Sequence, residues 1–525
     1  MRQYRVQAEP LAWPLRNGGT LRSVAVSVEA DGHIGRGEAV PVLSRAETMD
    51  YVLHELNEIG SVAALGLTRR ELNEIFPSGA ARNALDCAMW DHEARAKATT
   101  AWQIAGMKPP KRISGLKVID RFDDLDARDL AHAPALRFSA SPDTIETRLK
   151  AVRDAAPGLP LVVDGETAWN ATSLTAMDGL MADHGVAMLI RPFSRYEDEA
   201  LLGLDLTTPI CASESCNSRA DVPALIGKYR AGSITLDKAG GLTEALELAR
   251  SMRAAGLSVL IEAGRGSSRA AAPLLVLAPY ANFADFSALA ALKADVPHCL
   301  SVDDHGAIAA ETPDLWGSCA PATGQTEPKK RAPARGRPRS EALETAILNA
   351  TVKVIAEVGY HEMSLEKVAE AASSSRPTIY RRWNSKQNLA AAAIANRFHQ
   401  AIPAVPDTGN ARRDLEVLLI DFVDLLRHDK MDRVILSLIP DIGRDDELGR
   451  VVYKIEIGRR LFLAQAIMRG RQRGEAGMEQ DIDRMIDMLA GGVYFRMMFR
   501  DGIPSDDEIV GFVDIVLGGP ARAQG

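Results

Sequence analysis

At 525 residues the chain is too long for one hydrophobic core, so two or three domains are expected before any motif is read. Hydrophobic residues make up 46% and charged residues 25%, which excludes a disordered or collagen-like chain, and no uninterrupted apolar run reaches the ~20 residues of a membrane span. The net charge of −8 argues against general nucleic-acid affinity, although an average over the whole chain can conceal a local basic element. The opening stretch MRQYRVQAEPLAWPLRNGG has early arginines but no apolar core of signal-peptide length, so a cytoplasmic protein with no membrane partner is expected. Cys87, Cys211, Cys216, Cys299 and Cys319 are odd in number and lack CxxC spacing; they read as buried free thiols.

Strand and helix patterns alternate up to about residue 320. LRSVAVSVEADGHIGRGEAVP reads as a strand, a DG turn and a second strand, and ARNALDCAMWDHEAR reads as a helix. LPLVVDGE, VAMLIRPF, GSITLDKAGG and LSVLIEAG are apolar strand cores set among helical stretches such as GLTEALELARSMRAAG. The repeated βα units predict a (β/α) barrel over 101–320, preceded by an α+β capping region over 1–100.

Taken together, GRGEAVP, ARNALDCAMWDHEA, VVDGETAW, PICASES and LDKAGGLTEAL resemble the enolase superfamily, most closely its dipeptide epimerase and N-acylamino acid racemase-like branch, from about Ser23 to Gly317. The resemblance implies Mg²⁺ held by three carboxylates at strand ends and two lysines facing each other across the substrate α-carbon. Removing a proton next to a carboxylate builds up an enediolate, which the metal stabilises while one lysine abstracts and the other returns the proton.

Mapped residue by residue, most of that machinery is absent. Asp164 matches the first metal ligand, but Ile190 stands where the second carboxylate belongs and Ser213 replaces the third. Arg137 and Ser139 occupy the lysine positions of the KxK pair, which leaves Lys238 as the residual catalytic group. The Asp-x-Asp pattern that grips a substrate ammonium reads Asp285, Phe286, Ser287, so Asp285 alone remains. No cofactor is expected, Mg²⁺ entering only if Glu166 or Glu214 moves into the site. The expectation is a pseudoenzyme that either still binds an amino-acid derivative or is a fusion remnant, with Lys238 then paired to Asp164 or Asp237. The alternative is a residual racemase or epimerase of dipeptides or N-acylamino acids fused to its own regulator.

The segment 321–339 reads as a basic linker. Its KKRAPARGRPR carries Arg335, Arg337 and Arg339 among proline, glycine and alanine; by itself such a run is a solvated linker as readily as a DNA contact, and just before a helix-turn-helix it is expected to lie along DNA phosphates or the minor groove. A helix follows, with Ile347, Thr351, Val354, Ile355 and Val358 on one face and Gly359 placed to stop it. Ser364 is placed to cap LEKVAEAA and, after the SSS turn, Ser375 to cap RPTIYRRW. In that second helix Ile379 and Trp383 face inward and Arg376, Thr378, Tyr380 and Arg381 outward.

This helix-turn-helix, GYHEMSLEKVAEAASSSRPTIYRRWNSKQNL, resembles the TetR family signature from Ser340 to Leu389. The resemblance implies a DNA-binding domain over 340–390 that engages a double-stranded operator through Ser364, Arg376, Pro377, Thr378, Tyr380, Arg381 and Lys386. It also implies an all-α effector-binding and dimerisation body over 391–525, an unidentified small-molecule effector, and a homodimer built on the last two long helices. Serine at position 373 departs from the glycine usual in the turn, which matters only if the backbone there takes positive φ. Met485, Met488, Met497 and Met498 suit either core filling or an adaptable pocket or interface.

Overall fold

The computed structural model describes residues 2–317 and 341–518, apart from positions 43, 44, 46, 111, 123, 124, 131, 304, 305, 310–313, 384, 429, 476 and 501. Cys319 and the linker arginines Arg335, Arg337 and Arg339 lie outside the described residues. The chain divides into two compact units, one of 4–56 with 78–321, the other of 322–525 with 1–3 and 57–77.

The first unit begins with a three-stranded antiparallel sheet, Arg5–Pro14, Thr20–Ala30 and His33–Ala39. The expected DG turn joins the last two strands, with Asp31 and Gly32 at φ of 50° and 75°, the mirror-image geometry that a two-residue hairpin requires. Helix Ala80–Ala96 packs on this hairpin without intervening side chains. A Cβ on Gly35 would collide with the Ala88 carbonyl oxygen, and one on Gly37 with that of Ala84. The GRGEA and ALDCA stretches are thus two halves of one close contact, pinned by the Arg36 N–H donating to Asp91 at 2.9 Å.

Eight parallel strands follow in chain order: Lys117–Val118, Leu136–Ser139, Leu161–Asp164, Val186–Ile190, Ile210–Ala212, Ala231–Ile234, Ser258–Glu262 and Phe283–Asp285. The Leu116 N–H donates to the Ala284 carbonyl at 2.7 Å and ties the first strand to the last, closing the barrel. Leu161–Asp164 is buried on both faces, because helices cover the outside and side chains fill the inside. Leu116, Ala135, Val162, Met188, Ile190, Cys211, Ala231 and Leu260 form the interior cluster. Outside, helix Leu242–Ala254 buries Leu242, Ala245, Leu246, Leu248, Ala249 and Met252 at helical spacing. Cys87, Cys211 and Cys216 are buried free thiols as expected; Cys299, in an irregular segment beyond the last barrel strand, is exposed and corrects that reading.

The C-terminal region is helical throughout. Helix Glu341–Glu362 buries Ile347, Thr351, Val354 and Ile355, and Gly359 breaks it at φ 80° and ψ 162°. Val358, at the last position before that break, is 41% exposed rather than inward-facing. Helices Leu365–Ala371 and Arg376–Tyr380 form the helix-turn-helix, the first capped by the Ser364 hydroxyl accepting the Lys367 N–H at 3.3 Å. Ser375 sits at the start of the second helix, but its hydroxyl pairs with that of Thr378 at 2.8 Å instead of capping the backbone. Between them Ser373 takes φ 47°, the left-handed conformation that disfavours a side chain. Helices Lys386–Ala401, Ala411–His428, Met431–Ile442, Asp446–Arg473, Ile482–Phe499 and Asp506–Val516 complete the body. No helix among the described residues is long and apolar enough to cross a membrane.

Two substitutions test this packing in opposite directions. Gly37→Ala is expected to destabilise the first unit by about 3 kcal/mol in thermal unfolding, since a backbone carbonyl cannot easily move aside. Ser373→Gly is expected to stabilise the helix-turn-helix by about 1 kcal/mol, seen as a higher melting temperature.

Candidate functional site

The carboxyl ends of the barrel strands surround a cavity of about 750 Å³ lined by Arg137, Ser139, Asp164, Arg191, Glu262 and Asp285. Parallel pairing brings these groups together, since Ser139 is in register with Asp164 and Glu262 with Asp285. Arg137, projecting from Leu136–Ser139, is the hub. Its guanidinium donates to Asp164 at 2.7 Å, to Glu262 at 2.7 Å and to Asp285 at 2.5 Å. Arg191 adds a second guanidinium on Asp164, with contacts of 2.5 and 3.3 Å. The Ser233 hydroxyl donates to the remaining Glu262 oxygen.

The electrostatics follow from this geometry. Burial by itself weakens the hold of the Arg137 guanidinium on its proton, but Glu262, Asp285 and Asp164 outweigh it and raise its pKa. Burial likewise opposes ionisation of Asp164, and its hydrogen bonds and charge pairing with Arg191 and Arg137 prevail, holding the carboxyl below the usual range. Glu262 is lowered in the same way, against its burial, chiefly by Arg137. Backbone strain clusters here as well, with Glu166, Thr167 and Arg191 at φ of 49°, 59° and 48°.

A divalent metal does not fit the residues at this mouth. Both Asp164 oxygens accept from guanidinium N–H groups. Ile190 is fully buried in the apolar interior, and the Ser213 hydroxyl accepts from Lys238 Nζ at 3.0 Å. Neither replacement carboxylate moves in: Glu166 accepts from Ser139 at 2.8 Å, and Glu214 pairs with Lys238 at 3.2 Å. Among the described residues no group of three or more His, Cys, Asp or Glu side chains is arranged to hold a metal ion. Lys238 pairs with neither Asp164 nor Asp237, correcting that expectation. Asp237 instead accepts from the Asn83 amide at 2.6 Å, and Asp285 also accepts from the Ser287 N–H at 2.8 Å. Sequence reasoning missed Arg191 and Glu262, whose only advance signal was a charged residue at each of two strand ends.

In the helix-turn-helix, Ile379 is fully buried and Trp383 nearly so, which turns Arg376, Pro377, Tyr380 and Arg381 to solvent with Thr378 half-exposed. The outward face is already ordered. Arg376 pairs with Glu366, lies 5.3 Å from the Tyr380 ring centroid and donates to its hydroxyl at 3.3 Å. Arg381 donates to the Thr378 hydroxyl at 3.3 Å. Lys386 is turned back, its ammonium donating to the His361 carbonyl at 2.9 Å and lying 4.5 Å from the Tyr360 ring centroid. Ser364 and Lys386 therefore have internal roles, whereas Arg376, Thr378, Tyr380 and Arg381 form a continuous face.

In the helical body Arg459 is enclosed by aromatic rings, with centroids of Phe422, Tyr494 and Phe398 at 4.0, 5.4 and 5.6 Å, and pairs with Glu456 at 3.0 Å. The methionines divide between two environments. Met485 and Met497 are buried, whereas Met488 and Met498 are exposed together with Phe495, Phe499 and Ile515 along the last two helices.

Comparison with known proteins accounts for both regions. Residues 2–106 match the mandelate racemase / muconate lactonizing enzyme N-terminal domain, and 117–313 the enolase C-terminal domain-like family. Residues 347–393 match the bacterial regulatory proteins of the tetR family, and 405–516 the tetracyclin repressor-like C-terminal domain. An L-Ala-D/L-Glu epimerase of Escherichia coli is 37% identical over 60% of this chain and 99% of its own length. A solved L-Ala-D/L-Glu epimerase is 36% identical, with a TM-score of 0.56 over 59% of this chain and 99% of that one. A DNA-binding transcriptional repressor TetR of Mycobacteroides abscessus is 34% identical over 34% of this chain and 94% of its own. The chain therefore belongs to two families at once, an epimerase-like member of the enolase superfamily fused in one polypeptide to a TetR-family helix-turn-helix regulator.

Proposed function

We propose that this chain is a cytoplasmic, homodimeric transcriptional repressor that leaves its operator when a small molecule binds the C-terminal helices, and that its barrel does not epimerise substrates. The observation that carries the regulatory reading is the solvent-facing set Arg376, Thr378, Tyr380 and Arg381, fixed by the buried Ile379 and Trp383. A charged fork and hydroxyls on one short helix suit phosphates and base edges. The apolar face of Met488, Phe495, Met498, Phe499 and Ile515 supports dimerisation, because a monomer would leave that surface in water. The domain limits expected from the sequence, with a basic linker over 321–339, are kept in this proposal.

The barrel lacks the means for proton shuttling. The reaction needs a base on each face of the α-carbon, and where the KxK pair would stand Arg137 remains protonated and engaged with three carboxylates. Lys238 is held between Ser213 and Glu214. Asp285, which would take up a substrate ammonium, is occupied by Arg137.

Fluorescence anisotropy with duplex DNA from upstream of the gene tests the first half. Binding should weaken steeply with salt, and Arg376→Ala with Tyr380→Ala should lose roughly a hundredfold in affinity while far-UV circular dichroism is unchanged. Affinity that ignores either salt or the double substitution refutes the assignment. For the barrel, incubation with dipeptides and N-acyl glutamates in heavy water, with and without Mg²⁺, should leave the α-carbon free of deuterium. Incorporation that disappears in Lys238→Ala would establish the residual racemase instead.

A further inference from the structure

We propose that Arg137 is the resident cation of this barrel: its guanidinium bridges Asp164, Glu262 and Asp285 and, with Arg191, offsets most of their charge, so that the domain folds and keeps its mouth in shape without a divalent metal. The case rests on where these charges sit. Glu262 and Asp285 end neighbouring parallel strands in direct register, which places two carboxylates side by side. Asp164 ends a third strand, and its side chain and those of Glu262 and Asp285 are only 5%, 14% and 6% exposed. Water cannot screen three such charges, and their mutual repulsion would open the mouth unless a cation sat among them.

Arg137 meets that need with one planar group. One terminal nitrogen serves both Glu262 and Asp285 while the other reaches Asp164, and the side chain is itself 15% exposed. Arg191 supports Asp164 from the solvent side, 35% exposed, and Ser233 donates to Glu262. Lys238, another cation facing Glu262, is engaged by Ser213 and Glu214. The spacing suits a guanidinium, whose N–H groups reach outward to separated oxygens. A Mg²⁺ ion instead draws oxygens to about 2.1 Å on every side. A covalently attached cation also cannot dissociate, so the domain has no apo form. This inference stands apart from the regulatory reading, because it concerns the folding of the barrel whether or not the chain binds DNA.

Thermal unfolding of the full chain, followed on the barrel transition, provides the test. The wild-type midpoint should be indifferent to millimolar Mg²⁺ or EDTA. Arg137→Met should lower it by roughly 10 °C. Glu262→Gln should lower it in the wild-type background but raise it when added to Arg137→Met, because the same carboxylate is a partner in one background and an uncompensated charge in the other. That change of sign is not expected of an arginine that merely fills space. A saturable stabilisation of the wild-type chain by Mg²⁺ that EDTA removes, or a Glu262→Gln effect of the same sign in both backgrounds, overturns the proposal. If Arg137→Met does not fold, the Mg²⁺ titration of the wild-type chain decides alone.

Discussion

Charges withdrawn from water must be compensated where they lie, and at the barrel mouth that requirement ties the whole domain together. Asp164 comes from a strand far in sequence from the neighbouring strands that end in Glu262 and Asp285, and the hydrogen bonds of one guanidinium hold all three at a common point. Strand order, the closing hydrogen bond between Leu116 and Ala284 and the apolar interior that includes Ile190 all serve to deliver those side chains to the rim. A residue substituted in isolation here would leave a charge without a partner. The charged groups are therefore best understood as a set, in which the arginines at positions 137 and 191 and the carboxylates at positions 164, 262 and 285 depend on one another.

Much of this architecture was legible in the sequence, for identifiable reasons. The DG hairpin was visible because only a few residue types accept two successive left-handed conformations, and the barrel because buried parallel strands are apolar on both faces. The helix-turn-helix was visible because Leu365, Val368, Ile379 and Trp383 recur at helical spacing around a serine-rich turn. By contrast, Arg5–Pro14 was missed because Pro10 interrupts its alternation of exposed and half-buried positions, and its identity as a strand comes from pairing with Thr20–Ala30.

The site was less legible than the fold. The losses at Ile190, Ser213, Arg137 and Ser139 could be read one residue at a time. The parts played by Arg191 and Glu262 could not, since a charged residue at a strand end has meaning only once its neighbours in space are known. The same limit applied to Lys238, whose partners Ser213 and Glu214 lie on the preceding strand end, and to the methionines of Ile482–Phe499. Helical spacing put all four methionines on plausible faces, and only packing separated the buried Met485 and Met497 from the exposed Met488 and Met498.

The pairing of Arg376 with Glu366 has a consequence of a different kind. If Arg376 meets DNA as proposed, an incoming phosphate has to evict a carboxylate that the protein carries itself, so the net attraction at that position is an exchange of one anion for another. Contacts with random duplex, which depend mostly on such attraction, lose more from this competition than contacts that add base-edge hydrogen bonds. On that proposed reading Glu366 would act as an internal rival to the DNA backbone, trading overall grip for discrimination between sites.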